Sequence, residues 1–214
     1  SGWLRELNRA LRGERVPGVP PSPLLEDVRV LVQRQAAARA ALEEGHDGRW
    51  TRDRLRQSMA DLLEEDGLII VANREPYIHH RRDDGQVEVR HPASGLVSAL
   101  EPVMRTCSGV WIAHGSGSAD RETCDDHGRL AVPPGEGSYT LRRVWMTDEE
   151  ESGYYYGFAN EGLWPLCHLA YARPVFRASD WAHYRLINER FADAVVAEAS
   201  VDDPIVLVQD YHFA

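Results

Sequence analysis

The sequence predicts an α/β fold, a mainly parallel sheet flanked by helices, with a helical N-terminal extension over residues 1–66 and one domain over 67–214. Three observations predict it. Leu68–Ala72 and Pro204–Gln209 are short apolar runs of the kind that buried parallel strands require. Each is followed at once by polar groups, Asn73-Arg74 after the first and Asp210-Tyr211-His212 after the second. Helical patterns stand between the strands, as crossover connections demand.

The extension is read from periodicity. Trp3–Leu11 is a short amphipathic piece, and 12–21 holds five Gly and Pro residues and reads as a loop. Ser22-Pro23 supplies an N-cap with proline at the first helical position. Leu24, Val28, Leu31 and Leu42 then mark an Ala-rich helix to about Glu44. A second helix runs from about Thr51 through Leu55, Met59 and Leu63 to a C-cap at Gly67. Such amphipathic faces serve either as a brace on a neighbouring domain or as a partner or homo-oligomer interface.

From Gly67 the pattern changes. Leu68–Ala72 is a strand, and Tyr77–His91 is a hairpin around Asp84-Gly85. Ser94-Gly95 opens a helix carrying Leu96, Leu100, Val103 and Met104. Val110–Ala113 is a second strand, and 115–137 is rich in Gly, Pro and Asp and reads as mostly loop. Tyr139–Trp145 alternates as a strand, and Tyr154–Asn160 with Trp164-Pro165 concentrates aromatics near a loop. Asp180–Ala199 is a helix with Trp181, Tyr184, Asn188, Phe191 and Val195 on one stripe, and Pro204–Gln209 is the last, buried strand.

Composition narrows the function. The 214 residues carry a net charge of −10, and every basic residue is Arg. The deficit lies almost wholly beyond Asp66, which disfavours nucleic acid or an anionic membrane as partner. No apolar run approaches the roughly 20 residues of a membrane span, and Arg5, Glu6 and Arg9 interrupt any signal-peptide pattern. Cys107, Cys124 and Cys167 form no disulfide framework, which fits a reducing cytoplasm.

Several motifs fail on inspection. Gly115-Ser116-Gly117 puts Asp120 where a dinucleotide fingerprint needs glycine. Cys124 and His127 lack a second pair at zinc spacing, so His79, His80, His91 and His114 are not read as metal ligands. No Gly-x-Ser-x-Gly elbow is present. What remains are groups at carboxyl ends of strands, where ligands bind in open α/β sheets. Arg74 can fork onto a phosphate or carboxylate. Ser94-Gly95 offers free N–H groups at a helix start. The Tyr and Trp cluster offers stacking faces suited to sugars.

Taken together, Asn73-Arg74, Ser94-Gly95-Leu96, Tyr155-x-Gly-Phe-x-Asn160, Leu163-Trp164-Pro165-x-x-His168, the Trp181 to Ala192 helix motif and Asp210-Tyr211-His212 resemble the trehalose-6-phosphate synthases. These are retaining nucleotide-sugar glycosyltransferases of family 20. The resemblance covers about Leu68 to Ala214 in order. It implies the Rossmann-like, acceptor-side N-terminal half of a GT-B enzyme, with the donor domain outside this chain and the fragment alone inactive.

It further implies a nucleotide-sugar donor, UDP-glucose foremost, and a sugar-phosphate acceptor, glucose 6-phosphate or a relative, with no cofactor and no metal. Arg74 and Tyr155 would face the acceptor phosphate, and Asp210, the catalytic-site carboxylate, its hydroxyls. Trp164 would shape the pocket, and Ser94 and Gly95 would approach the donor diphosphate. Two departures stand out: Ser94 where the family has a second glycine, and His114 where it has an acceptor-site Trp. His114 opens the way to another acceptor, as in the glucosylglycerol-phosphate synthases and the validamycin-pathway pseudo-glycosyltransferases. The competing reading is a non-catalytic sugar-phosphate sensor or regulatory subunit. His114 is expected near Arg74 and Asp210, where its protonated form would attract phosphate and weaken acceptor binding as pH rises from about 6 to 8.

Overall fold

A computed structural model describes residues 51–60, 68–201 and 203–213. The chain divides into two units, Ser1–Arg54 and Leu55–Ala214. Of the first, only 51–54 are among the described residues, and the expected helices at 3–11 and 22–44 lie outside them. Thr51 accepts the N–H of Arg54 at 3.2 Å and caps α1, Arg52–Ala60.

In the second unit the elements follow as β1 Leu68–Val71, β2 Ile78–Arg81, β3 Val87–Arg90, α2 Gly95–Cys107, β4 Gly109–His114, β5 Arg129–Val132 and β6 Tyr139–Val144. Then come α3 Asp148–Glu151, a π-helix Ser152–Leu163, α4 Trp164–Cys167, α5 Ala178–Glu198 and β7 Ile205–Val208. The main sheet has the order β5-β6-β4-β1-β7. All its pairings are parallel except that of β5 with β6. β2 and β3 form the expected hairpin, with Gly85 at φ +81° in the turn, a conformation that costs glycine little.

The sheet is covered on both faces, which is why β1 reads as a continuous apolar run. Leu68, Ile70 and Ala72 pack with Trp111, Leu141, Val97 and Met104 on the α2 side. Ile69 and Val71 pack with Ile112, Tyr154, Tyr184, Ile187 and Phe191 on the α5 side. The two-residue alternation of a strand sorts neighbours onto opposite faces. Among the described residues no helix is long and apolar enough to cross a membrane.

Four expectations need correction. β7 is parallel but not buried: it is the edge strand, and Ile205 and Val208 are 44% and 50% exposed. β5 lies inside the segment read as loop, and its antiparallel course caps the opposite edge. On α5 the buried side runs through Tyr184, Ile187, Phe191 and Ala194, while Trp181 is exposed and stacks on Tyr184.

The fourth concerns the aromatic segment, which lies near the loop 168–177 as expected but is itself helical. Thr147 starts it with a capping box: its hydroxyl accepts the Glu150 N–H, and the Glu150 carboxylate accepts the Thr147 N–H. The π-helix then lies against α5 through its glycines. A Cβ on Gly153 would meet the His183 ring at 2.2 Å, and one on Gly157 the Asp180 carboxylate at 2.5 Å.

Candidate functional site

The carboxyl ends of β1 and β7 and the start of α2 enclose a cleft of about 140 Å3. Asn73, Arg74, Ser94, Leu96, Tyr155, Gln209, Asp210 and His212 line it. Adjacency of β1 and β7 in the sheet, with Val71 in register with Val208, brings Arg74 and Asp210 to the same edge. A larger open groove of about 580 Å3 beside Trp145 and α5 is less suited to a ligand. Its Arg190 is already engaged by Glu150 and the Trp145 carbonyl, and its Arg142 by Glu198 and the Arg143 carbonyl.

Arg74 is exposed, and among the described residues its guanidinium makes no ion pair or hydrogen bond. Its carbonyl accepts the Nε1–H of buried Trp111 at 3.2 Å. Asp210 holds φ at +72°, an uncommon conformation for a residue with a Cβ. Strained backbone of this kind persists where its surroundings enforce it, and it concentrates at ligand sites. Here the enforcement is visible. Tyr184 and Asn188, one turn apart on α5, donate to the carbonyls of Tyr211 (2.9 Å) and His212 (3.3 Å). Tyr211 donates its own hydroxyl to Asn160 at 3.0 Å. The four-residue spacing of Tyr184 and Asn188 thus puts both donors on the turn that holds Asp210.

Asp210 Oδ1 accepts the Tyr211 N–H at 2.8 Å, and Oδ2 stands 4.0 Å from His212 Nδ1. His212 stacks on Tyr155 with ring centroids 5.1 Å apart. Burial first, and then the Arg74 charge, lower the His212 pKa, while Asp210 opposes them. Burial thus favours the neutral form of the His212 ring beside an Arg and a carboxylate. That arrangement presents one cation, one anion and aromatic faces to a polar ligand.

The other expected residues are placed differently. Ser94 lines the cleft as the N-cap of α2, without a side-chain cap bond. Gly95 beside it is exposed, and nothing lies within 4 Å of a Cβ built there. Trp164 is not in the lining; it stacks on His168, which meets Tyr211 edge-on. His114 ends β4 as expected, but it is 7% exposed and is not in the lining. Burial lowers its pKa to about 4, against a weaker pull upward from Asp120. It carries no charge between pH 6 and 8, so acceptor binding gains no pH dependence from His114 in that range. Cys124 and His127 find no third partner: among the described residues no group of three or more His, Cys, Asp or Glu is placed to hold a metal.

The lining also contains Asn73, Leu96 and Gln209, to which the sequence assigns no role, beside His212 of the Asp-Tyr-His triplet. Their signal is position: Asn73, Leu96 and Gln209 adjoin Arg74, Gly95 and Asp210 in the chain.

Comparison with known proteins follows this geometry. The model of glycosyltransferase family 20 matches residues 66–214. The trehalose-6-phosphate synthase of Mycolicibacterium vanbaalenii is 37% identical over 144 residues, which is 67% of this chain and 28% of that protein. That of Mycobacterium avium is 35% identical over 145 residues, again 67% and 28%. A solved α,α-trehalose-phosphate synthase (UDP-forming) from Burkholderia xenovorans in complex with glucose-6-phosphate is 24% identical. It covers 68% of this chain and 28% of that one, with a TM-score of 0.48. The chain spans less than a third of the length of these relatives. Ordered motifs and the family match together show that this chain belongs to glycosyltransferase family 20.

Proposed function

We propose that residues 67–214 are the acceptor-side, Rossmann-like domain of a GT-B glycosyltransferase similar to trehalose-6-phosphate synthase, and that 1–66 form an extension to it. The reaction proposed is transfer of glucose, with retention, from a nucleotide sugar to glucose 6-phosphate or a related sugar phosphate. UDP-glucose is the donor favoured. The observation that carries this reading is Arg74, without an ion partner among the described residues, at the same sheet edge as the strained Asp210.

Each group has a role that its chemistry supports. Arg74 presents a planar fork of N–H donors that matches a phosphate. Tyr155, also in the lining, supplies a hydroxyl and an aromatic face. The Asp210 carboxylate offers acceptor oxygens to sugar hydroxyls, which a neutral amide does less well. The Ser94-Gly95 start of α2 offers backbone N–H groups to a diphosphate. The family's mechanism forms no covalent enzyme intermediate, and the donor phosphate itself helps deprotonate the acceptor hydroxyl. A single wall of the cleft cannot exclude water around the donor, so this chain alone is expected to bind acceptor without turnover.

The test is a panel of glucose 6-phosphate, glucose, glycerol 3-phosphate and inorganic phosphate titrated into the chain. Glucose 6-phosphate should bind in preference to glucose, and Asp210→Asn should weaken the sugar phosphate more than inorganic phosphate. Equal binding of sugar phosphate and inorganic phosphate, unmoved by Asp210→Asn, would sink the acceptor assignment.

A further inference from the structure

Arg74 has no partner for its side chain among the described residues, so nothing on that side chain fixes its direction. A long, rotamer-rich side chain recognises a phosphate well only if its backbone is already aimed. The neighbouring residue does this in an unusual way. Glu75 is 2% exposed. Its Oε1 accepts from the N–H and the hydroxyl of Ser116 at 3.0 and 3.2 Å, and its Oε2 accepts from Arg143 Nε at 2.8 Å.

Arg143 is wholly buried, and every N–H of its guanidinium is used. Nη1 donates to the Asp120 carbonyl and Thr123 Oγ1, both at 3.0 Å. Nη2 donates to the Tyr77 carbonyl at 3.0 Å and to His79 Nδ1 at 2.7 Å, and lies 2.9 Å from Asp120 Oδ1. One guanidinium therefore fixes the segment behind Arg74 at residues 75, 77 and 79. Trp111 fixes it at the Arg74 carbonyl. Clamped this way, the peptide that carries the exposed Arg has little freedom to swing.

We propose that Glu75, held by Arg143, is the positioning residue that aims Arg74 into the cleft. The proposal rests on the reading of Arg74 as a phosphate contact. A cluster that served the fold alone could stand anywhere in the sheet; this one is covalently adjacent to the cation and, with Trp111, secures the chain on the carboxyl side of its α-carbon.

Glucose 6-phosphate and glucose serve as probes, titrated by NMR into the 214-residue chain and its variants. Glu75→Ala should weaken glucose 6-phosphate by about tenfold, the size of coupling within one shared network, and leave glucose unchanged. Glu75→Gln, which keeps an acceptor for Arg143 and a donor toward Asp120, should restore binding to within about twofold. Combining Glu75→Ala with Arg74→Ala should weaken glucose 6-phosphate no further than Arg74→Ala alone. Equal losses for both probes, additive losses in the double variant, or a folded Glu75→Ala with unchanged affinity would each overturn the positioning role. If Glu75→Ala does not fold, Glu75→Asp, which draws the carboxyl back from Arg143 by one methylene, takes its place with the same outcomes. If Arg74→Ala binds glucose 6-phosphate as tightly as the unaltered chain, the functional reading itself fails.

Discussion

Arg74 and Glu75 are neighbours in the chain and opposites in the fold. The first is exposed at the cleft with no ion partner among the described residues; the second is buried within a network that uses every N–H of Arg143. The contrast separates a charge left unpaired among the described residues from charge consumed by the protein. Two carboxyls, Glu75 and Asp120, share the one guanidinium of Arg143. Burial pushes Asp120 up, but hydrogen bonds with the His79 ring and Glu75, and then the backbone N–H groups of His79 and Gly117, hold it well below the usual carboxylate range. Glu75 goes the other way. Burial, and then its hydrogen bond with Asp120, push it up to about 8 although Arg143 pulls it down. Near pH 7 the cluster thus sets an ionised Asp120 and a neutral Glu75 against the one guanidinium of Arg143, and it closes on itself electrically. Arg74 leaves an open account one residue away.

The largest effect that would sharpen this contrast is Arg143→Met. It leaves the buried Asp120 without its cation and Glu75, Tyr77 and His79 without a donor. Breaking a buried pair from one side costs about 3–5 kcal/mol, so thermal or urea unfolding should show a loss of that order. A loss below about 1 kcal/mol would mean that the cluster is not the structural half of the comparison.

The cluster should also write itself into the pH dependence of stability. Glu75 sits at about 8 when folded against an ordinary 4.5. The folded chain therefore keeps a proton that the unfolded chain releases, and stability falls as pH rises from 4.5 to 8. His114 does the reverse. At about 4 against an ordinary 6.5, it leaves the unfolded chain holding the extra proton, so stability falls as pH drops from 6.5 to 4. His212, also lowered, adds to that second slope. Between 4.5 and 6.5 the slopes oppose; above 6.5 only the Glu75 decline remains. Denaturation curves should show stability falling from pH 6.5 to 8, and Glu75→Gln should abolish that fall. His114→Asn should leave it intact and extend it to lower pH. A Glu75→Gln variant with the unaltered profile would place the titration elsewhere.

The open half of this comparison was far more legible in the sequence than the closed half. Arg74 and Asp210 announce themselves because each follows an apolar run directly, and a parallel strand delivers whatever follows it to one edge. Glu75, Asp120 and Arg143 lie in polar or alternating stretches, where nothing in the residue order says that the three charges meet. The same limit explains β5 and the aromatic helix. Arg129–Val132 is too short to show a period, and its pairing comes from β6. In Ser152–Leu163 three glycines and three consecutive tyrosines suppress the helical pattern, because those glycines answer to the close approach of α5 and Phe176 and not to helix propensity. Thr147-x-x-Glu150 was the one local signal that a helix begins there. The exposure of β7 could not be read from composition either, since an apolar strand looks the same at an edge as in the centre.

The smallest stability effect carries the most information about function. Arg74→Ala removes an exposed side chain that makes no hydrogen bond or ion pair among the described residues. Surface substitutions of that kind change stability by about 0.5 kcal/mol or less, so the unfolding midpoint should stay where it is. The sheet edge should also keep its form, because Trp111 binds the residue-74 carbonyl and not its side chain. Yet affinity for a phosphorylated ligand should fall by at least about tenfold, since a charge-assisted bidentate contact contributes more than a neutral one. Removing the cation also lifts the opposition to protonating His212, so the His212 pKa should rise in the variant, readable from its ring proton shifts by NMR. Stability unchanged, phosphate affinity lost and His212 shifted upward would fix Arg74 as charge held for a ligand. Loss of stability on the scale of Arg143→Met would erase the difference between the two neighbours.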